Sequence, residues 1–436
     1  MAGERWREAP LDSLTETPIT YGVVKPGGHD DATGVKFIRA GDIANGRILV
    51  EQLRTVTRRV SAQYARTLLR GGELLVSLVG NPGQVAIAPA SLKDANIARQ
   101  VGLVRLNAGV DTRFVKYFLL SPAGQGSLGA HSRGSVQQVI NLRDLKTVKI
   151  PLPPLSEQRR IAHILGPLDD KIELNRRMNR TLESMARSIF KSWFVDFDPV
   201  RAKAAGQPPP GLKPELAALF PDAFQDSELG QIPKGWRVGR VDDLAHINAR
   251  TLGRRDTLGI IDYVEISEVM RGEVGTITRY TRGEEPSRAR RCLQHGDTVL
   301  STVRPDRGAY FLTLYPTESL IASTGFAVLT PKDGNWAFLH AATTQPGFGE
   351  ELGRLADGGA YPAIRAEVVG GRELPIPECP QLTAAFDRVA QPLFLKANAN
   401  RRLCSTLAAL RDTLLPKLIS GELRVPDAER IVGRVV

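Results

Sequence analysis

Two stretches of the chain carry apolar residues at alternating spacings of three and four, the pattern of helices that pair along a narrow seam. The first stretch follows Ser156, and the second begins at Phe386. A shift of 225 positions lays one pattern on the other, and eight of the ten seam positions in each are apolar. The sequence therefore predicts two related long helices that pair as an antiparallel coiled coil.

Polar residues interrupt this seam at matched places. Asn400 falls at the image of Asn175, and a seam asparagine typically fixes the register of paired helices. Pro167 and Pro392 also match and predict a kink or a new helix start, because proline lacks the backbone donor. The alternative is that each helix packs on its own globular domain. The seam residues are Leu165, Leu168, Ile172, Asn175, Asn179, Leu182 and Ile189, with Leu393, Asn400, Leu407 and Leu414 in the second helix.

The repeat extends beyond the helices. The stretch "LRGGELLVSLVGNPG" (69–83) is similar to "LQHGDTVLSTVRPDRG" (293–308), with Ser77 aligned on Ser301. In each copy, short β-rich runs bounded by glycine surround a Pro/Gly turn. A helix is predicted to begin at Asp111 or Thr112 and to stop at Pro122. The fold class is therefore α+β: two similar α/β domains separated by two long helices, with an internal pseudo-twofold repeat.

Composition shifts place the domain boundaries. Residues 1–150 form the first domain, 151–200 the central helical region, 201–230 a linker, 231–375 the second domain and 376–436 the C-terminal helical region. The linker is rich in Pro and Gly, so we expect it to run over the surface with one short helix.

The charge is unevenly distributed. The chain has a formal net charge of +11, and residues 1–150 hold 20 Lys and Arg against 12 Asp and Glu, whereas residues 231–375 are balanced. A basic surplus in one domain indicates a polyanionic partner, since phosphate contacts release counterions.

No apolar run reaches the ~18–20 residues that span a bilayer, so a cytoplasmic location is expected. The three cysteines are expected to be free thiols.

Motifs for catalysis are missing from the sequence. There is no GxxxxGK[ST] loop for a nucleotide and no GxGxxG spacing for a dinucleotide or S-adenosylmethionine. The six histidines are scattered without the spacing of a zinc site, so no metal is expected. A non-catalytic binding protein is therefore predicted. Two similar domains on a helical spacer would suit two DNA half-sites, because half-sites separated by one turn of DNA lie about 34–36 Å apart.

Three motifs resemble those of a known family. They are "IPLPPLSEQRRIA" (150–162), "SELGQIPKGW" (227–236) and "LRDTLLPKLISGELRV" (410–425). With the repeat, they make the whole chain similar to the specificity (S) subunits of type I restriction–modification systems, the HsdS family. The second helix start, "IPECPQLTAAF" (376–386), departs from the PLPPL-x-EQ form, which leaves its capping and partner contacts less defined.

The resemblance implies a non-catalytic subunit with two target recognition domains, each of which contacts one half of a split site on double-stranded DNA. The helices would set the spacing and dock two modification subunits, which bind S-adenosylmethionine and methylate adenine after flipping it out. Motor–nuclease restriction subunits would join that core. A stand-alone two-headed DNA-binding regulator is the alternative, and a fused methyltransferase or nuclease is a second one.

Candidate DNA-binding residues lie in loops at strand ends, where a rigid scaffold places functional side chains. Arg, Asn and Gln can bond to base edges in two places at once, Ser and Thr adapt to either role, and Arg also binds phosphate. The candidates are Asn81, Gln84, Arg99, Gln100, Arg133, Ser135, Gln137 and Gln138 in the first copy, and Arg254, Arg255, Arg304, Arg307, Ser323, Thr324, Tyr361 and Arg365 in the second.

Overall fold

The fold is that of a computed structural model, which describes residues 6–27, 33–130, 132–133, 139–253, 256–356 and 362–433. The chain forms two compact units: unit 1 is Met1–Leu174 with Leu403–Val436, and unit 2 is Asn175–Arg402. Both mix helices with sheets, which confirms the predicted α+β class with two domains. The C-terminal residues belong to unit 1, so the units are not contiguous segments of the sequence.

Unit 1 is built around a four-stranded antiparallel sheet in the order β2-β10-β7-β8. The strand β7 reads Leu-Leu-Val-Ser without alternation because it is buried on both faces. Its strands are β1 (Arg7–Pro10), β2 (Thr20–Tyr21), β3 (Val35–Ile38), β4 (Ile43–Ala44), β5 (Arg47–Ile48), β6 (Arg54–Val56), β7 (Leu74–Ser77), β8 (Val85–Ile87), β9 (Asn96–Ile97), β10 (Val101–Val104), β11 (Ser132–Arg133), β12 (Val139–Ile140) and β13 (Lys149–Leu152).

Helices cover this sheet and close unit 1. Asp111 caps α2 as predicted, since its Oδ1 accepts a hydrogen bond from the Phe114 N–H at 3.0 Å. The predicted stop at Pro122 is confirmed, although a further helix begins there. The helices are α1 (Arg58–Gln63), α2 (Thr112–Leu120), α3 (Pro122–Ala130), α4 (Leu142–Thr147) and the start of α5 (Leu155–Phe194), with 3-10 turns at Leu11–Leu14, Ala40–Asp42, Val50–Gln52, Ala65–Thr67 and Ala90–Leu92.

Unit 2 repeats this architecture, with a four-stranded sheet in the order β17-β26-β23-β24. Its strands are β14 (Phe224–Ser227), β15 (Gly230–Pro233), β16 (Trp236–Arg240), β17 (Ala245–Ile247), β18 (Ile260–Val264), β19 (Val269–Met270), β20 (Glu273–Val274), β21 (Thr278–Thr281), β22 (Ala289–Cys292), β23 (Thr298–Ser301), β24 (Tyr310–Leu312), β25 (Leu320–Ser323), β26 (Phe326–Pro331) and β27 (Glu373–Pro377). Its helices are α6 (Asp198–Ala204), α7 (Pro214–Ala217), α8 (Val241–Leu244), α9 (Trp336–Thr343), α10 (Pro346–Arg354) and α11 (Ala366–Gly370), with 3-10 turns at Ile266–Glu268 and Pro305–Arg307.

The repeat predicted from sequence is confirmed by strand pairing. β7 and β23 occupy the same place in their sheets, and Ser77 and Ser301 end them. The isolated bridge between Val79 and Val139 in unit 1 has its image between Val303 and Ala363 in unit 2, 224 residues later at both ends. The two copies therefore share topology as well as sequence.

The long helices are α5 and α12 (Pro380–Ile419), each of 40 residues, and a short α13 (Val425–Val432) follows. In unit 1, the Asp169 carboxylate contacts Arg411 at 2.8 Å, and the Ile172 carbonyl accepts from the Cys404 thiol. Residue numbers rise on one helix as they fall on the other, so the segments are antiparallel there. In unit 2, Asn179 and Asn400 are hydrogen-bonded at 2.9 Å.

Most residues of the predicted seam are buried. Leu165, Leu168, Ile172, Asn175 and Asn179 are buried, as are Asn400, Leu407 and Leu414. Leu182, Ile189 and Leu393 are only half-buried. Phe190 and Phe394 take the buried positions beside the last two, because a straight helix with 3.6 residues per turn drifts away from a strict seven-residue repeat.

Two further expectations about the helices can be compared with the structure. Pro167 and Pro392 lie within uninterrupted helices, so a new helix start is wrong at both, and the alternative of a kink stays a prediction. The alternative, in which each helix packs on its own domain, occurs together with helix pairing. In unit 1, Ile161, Leu165 and Leu168 share one apolar core with Phe114 of α2.

The predicted surface linker is in part structural. Residues 201–230 include the end of α6 and the whole of α7, so there are two short helices instead of one, and they also include β14 and the first residue of β15. Phe220 is fully buried and packs edge-on against Trp193, with ring centroids 5.4 Å apart. Leu212, Leu216 and Leu219 are partly buried against the same core. Apolar residues in a Pro/Gly-rich stretch thus anchor it to unit 2.

A buried carboxylate in unit 2 predicts pH-dependent stability. Burial raises the pKa of Asp387 to about 6, although its hydrogen bonds from Gln391 and from the Phe338 and Ala337 N–H groups act the other way. Burial likewise raises the pKa of Asp297 to about 6. Because the folded carboxyls hold their protons more tightly than the unfolded ones (pKa about 3.9), stability from these groups is present below about pH 4 and lost as pH rises through 6.

We expect Asp387→Asn to remove about half of this pH dependence, on the order of 2–3 kcal/mol between pH 4 and 7. Denaturant unfolding of the wild type, Asp387→Asn, Asp297→Asn and the double variant over that range measures it. The double variant should show the shallowest profile. A single Asp387→Asn variant with the full wild-type slope would contradict the assignment.

Candidate nucleic-acid interface

The turn that follows β7 in unit 1 is held by Ser77. Its hydroxyl donates to the Asn81 carbonyl and accepts from the Gln84 N–H at 3.0 Å. Asn81 is exposed at the tip of this turn. The Gln84 Oε1 accepts from the Asn45 N–H at 3.1 Å, which ties the turn to the β4–β5 hairpin. The side chain of Asn81 therefore faces solvent, whereas that of Gln84 stabilises the scaffold.

In the equivalent turn after β23 in unit 2, the Ser301 hydroxyl bonds closer along the chain: it donates to the Val303 carbonyl at 2.8 Å and accepts from the Val303 N–H at 3.2 Å. Arg304 follows in a left-handed conformation (φ 47°), and its counterpart in unit 1 is Gly80 (φ 90°). A non-glycine residue in this conformation costs about 1 kcal/mol. Arg307 is exposed in the next helical turn. Unit 2 thus places two arginines where the shorter turn of unit 1 has no charged side chain.

Other predicted residues border these turns. Arg99 is exposed, and the Gln100 carbonyl accepts from the Leu78 N–H at 2.8 Å beside the unit 1 turn. Arg365 is exposed at the start of α11, one residue after Ile364, whose N–H donates to the Thr302 carbonyl. The structure therefore brings Arg99 and Gln100 to one turn and Arg365 to the other.

Ser323 does not lie at a surface. It is 2% exposed within β25, and its hydroxyl accepts from the Gly325 N–H at 3.3 Å. Its side chain is taken up by the turn that follows, so we remove it from the candidate surface. The neighbouring Thr324 is exposed.

Several candidates lie outside the described residues: Ser135, Gln137, Gln138, Arg254, Arg255 and Tyr361. Arg133 is described only as part of β11. They remain predictions from the sequence.

Sequence reasoning missed Arg271. It forms the β19–β20 turn with Gly272 in a left-handed conformation (φ 45°), as Asn45 and Gly46 do between β4 and β5. Its N–H donates to the Gly308 carbonyl at 2.8 Å, so the hairpin is docked on the Arg304–Arg307 turn. The signal was available in the match of "ANG" (44–46) with "MRG" (270–272) at a shift of 226.

Many arginines elsewhere in unit 2 are neutralised by acids. Arg279 pairs with Asp262 at 2.7 Å, Arg250 with Asp256 at 3.4 Å, and Arg282 with Glu285. The hydrogen bond from Arg279 lowers the pKa of Asp262. These pairs account for part of the balanced charge of this unit.

The described residues set limits on other chemistry. Within them, no group of three or more His, Cys, Asp or Glu side chains is placed to hold a metal ion. No helix in the described ranges is both long and apolar enough to cross a membrane.

Comparison with known proteins shows which sequences this chain resembles. Residues 16–184 match the family model of the type I restriction modification DNA specificity domain. The chain is 24% identical over 420 residues to the type I restriction enzyme MjaIX specificity subunit of Methanocaldococcus jannaschii, covering 90% of this chain and 88% of that protein. It is 25% identical over 458 residues to the HindI specificity subunit of Haemophilus influenzae, covering 89% and 94%.

A solved structure shares the fold. The S subunit of a type I restriction–modification system from M. genitalium aligns with a TM-score of 0.52 at 16% identity, over 95% of this chain and 96% of that one. At this identity the likeness concerns the fold alone.

Proposed function

This chain belongs to the family of type I restriction–modification specificity subunits, and we propose that each of its units contacts one half of a bipartite DNA site. The observation that carries the proposal is the duplicated architecture. The same strand order recurs in both units, and the same strand leads into a turn with polar or basic side chains. Two versions of one scaffold with different turn residues suit two different short sequences.

The turns differ in the chemistry they offer to DNA. Unit 1 presents Asn81 with Arg99 nearby, and an asparagine amide can bond to the N6 and N7 edge of adenine. Unit 2 presents Arg304 and Arg307, and an arginine fork matches the O6 and N7 acceptors of guanine or a phosphate. We infer that sequence preference differs between the units because these side chains differ.

The remaining assignments concern partners. The long helices set the spacing between the half-sites and dock two modification subunits. S-adenosylmethionine binds in those subunits, which flip and methylate adenine, and motor–nuclease subunits complete the complex. This chain supplies no catalytic group. Apolar side chains on the outer face of α5 support a docking role, since Met178 is 38% exposed and Met185 48%.

The proposal predicts a methylation pattern. Cells that carry this gene and a methyltransferase partner should show a two-part adenine-methylated DNA motif, measured by single-molecule sequencing of their genome. Deletion of the gene should abolish the motif at every site, and a plasmid copy should restore it. A motif that survives deletion would contradict the proposal. A chain that binds DNA but forms no complex with the methyltransferase would instead favour a stand-alone regulator.

A further inference from the structure

A cavity of about 290 Å³ lies in unit 2 between α10, the turn after β23 and the β19–β20 hairpin. Three arginines line it from three different elements: Arg187 of α5, Arg271 of the hairpin and Arg307 of the turn. Its remaining wall includes Tyr310, Gln345 and the apolar side chains of Pro305, Phe348 and Leu352.

The repeat shows how this cavity is made. In unit 1, the Gln125 Nε2 of α3 donates to the Gly83 carbonyl at 3.0 Å and to the Leu119 carbonyl at 2.7 Å, so this side chain bridges the helix and the turn. The equivalent position on α10 is Gly349, which has no side chain and lines the cavity. The loss of one glutamine thus opens space at the same point of the scaffold.

The charged residues change in the same comparison. Arg271 stands where unit 1 has Asn45, and Arg187 is the image of Asp412 under the 225-residue shift of the long helices. The turn of unit 2 is one residue longer and adds Arg307. Unit 2 therefore differs from unit 1 on three separate elements, and each difference places an arginine at the cavity.

These arginines are available to an anion. Among the described residues, none of the three forms an ion pair within 4 Å, and only the Arg187 side chain has a hydrogen-bond partner, the Tyr310 hydroxyl at 3.4 Å. Asp306 and Glu350 also line the cavity, so its wall carries three positive and two negative side chains. Arginine prefers a planar or tetrahedral oxyanion that it can bind with two N–H groups.

We propose that this cavity binds a phosphodiester group of the DNA backbone, which anchors unit 2 on its half-site. The inference rests on the proposed function and adds a specific ligand to it. The cavity has room for a phosphate with part of its sugar, and its apolar wall suits the sugar. Because a phosphate contact carries no base information, the site positions the unit and leaves base selection to other side chains.

Two substitutions that place unit 1 residues at the equivalent positions of unit 2 test the phosphate site with little expected effect on stability. Arg271→Asn restores the Asn-Gly pair of unit 1, which is favoured in this kind of hairpin turn. Gly349→Gln restores the bridging side chain and replaces a helical glycine with a better helix former. Lys234→Gln, on the exposed β15–β16 turn, removes one charge from the same unit as a control.

The full chain is titrated with duplex DNA that contains its methylated motif, over a range of chloride concentrations. We expect Arg271→Asn and Gly349→Gln to weaken binding roughly 3- to 10-fold and Arg271→Asn to reduce the slope of log K against log salt by about 1. Lys234→Gln should leave the slope unchanged. Inorganic phosphate, compared with chloride at equal ionic strength, should raise the Tm of the wild type and not that of Arg271→Asn.

The outcomes separate the two proposals. If the wild type binds DNA and both variants match its affinity and salt slope, the cavity proposal is overturned and the proposed function stands. A change in the methylated bases in either variant would show that a base occupies the cavity and would also overturn it. If the wild type binds no DNA at any salt concentration, the proposed function fails, whereas a phosphate-dependent Tm would still report an anion site.

Discussion

Replacement of residues 6–153 by the corresponding segment of another specificity subunit is expected to change one half of the methylated motif and to leave the other half intact. The structure defines these ends. β1 pairs with β13 over four residues, Arg7 to Pro10 with Lys149 to Leu152, so both ends of the domain meet in one strand pair. An exchange that ends before Leu155 keeps this pair whole and leaves α5 untouched.

The exchange must respect the contact between the domain and the helices of unit 1. Ile161, Leu165 and Leu168 share an apolar core with Leu11 and Phe114. A donor segment therefore needs apolar residues of similar size at the positions of Leu11 and Phe114. The reciprocal control replaces residues 236–378, which β16 and β27 close in the same manner. It should change only the other half-motif. If either exchange alters both halves, the units do not recognise DNA independently and the proposed division of roles is wrong.

Asp169→Ala is expected to destabilise unit 1 by about 3 kcal/mol or more. This carboxylate on α5 binds Lys116 at 2.7 Å, the Tyr117 hydroxyl at 2.9 Å and Arg411 of α12 at 2.8 Å. It therefore joins the domain to both long helices of that unit. Among the described residues, its loss leaves Lys116 without a counter-ion and leaves Arg411 with the carboxylate of Asp412 alone. Breaking a buried pair on one side typically costs about 3–5 kcal/mol.

The adjacent Asp170 provides the control. It is largely exposed and meets Arg113 at 3.4 Å, so Asp170→Ala should change stability by less than about 1 kcal/mol. Denaturant unfolding of both variants and the wild type measures the difference. Equal effects of the two substitutions would show that the network contributes nothing beyond a surface ion pair.

The pH dependence of the Asp169 contribution has the opposite sign to that of Asp387. Burial acts to raise the pKa of Asp169, but the charges and hydrogen bonds of Lys116 and Arg411 outweigh it and lower the pKa. The stabilisation is therefore present above the ordinary carboxyl pKa of about 3.9 and lost as pH falls through the lower folded value. The difference in stability between the wild type and Asp169→Ala should therefore shrink as the pH falls below the ordinary carboxyl pKa.

The sequence was sufficient for those features that depend on local pattern or on repetition. The three-four spacing predicted both long helices, because apolar positions on a helix recur with its own period. The alignment of Ser77 with Ser301 predicted two copies of one fold, since segments with the same pattern of strands, turns and caps adopt similar structures. The seam asparagines were predicted as register-fixing residues, and Asn179 and Asn400 are hydrogen-bonded to each other in unit 2.

The sequence determined less about individual side chains. Ser323 was chosen for its polar side chain, yet β25 buries it between neighbouring strands. Asn175 is 4% exposed, and within the described residues its Nδ2 has no hydrogen-bond partner, which the seam pattern did not distinguish from the paired Asn179. Phe190 and Phe394 replaced Ile189 and Leu393 in the seam because helical drift accumulates along a straight helix.

By itself, then, the sequence determined the fold class, the duplication and the paired helices, all of which follow from periodicity and repeat. Only the tertiary structure decided which side chains meet. Arg187, Arg271 and Arg307 are distant in the chain and come together because a helix, a hairpin and a turn converge on one cavity. Asp169 gathers Lys116, Tyr117 and Arg411 for the same reason. Contacts of this kind depend on how elements pack, and no local pattern of residues specifies that packing.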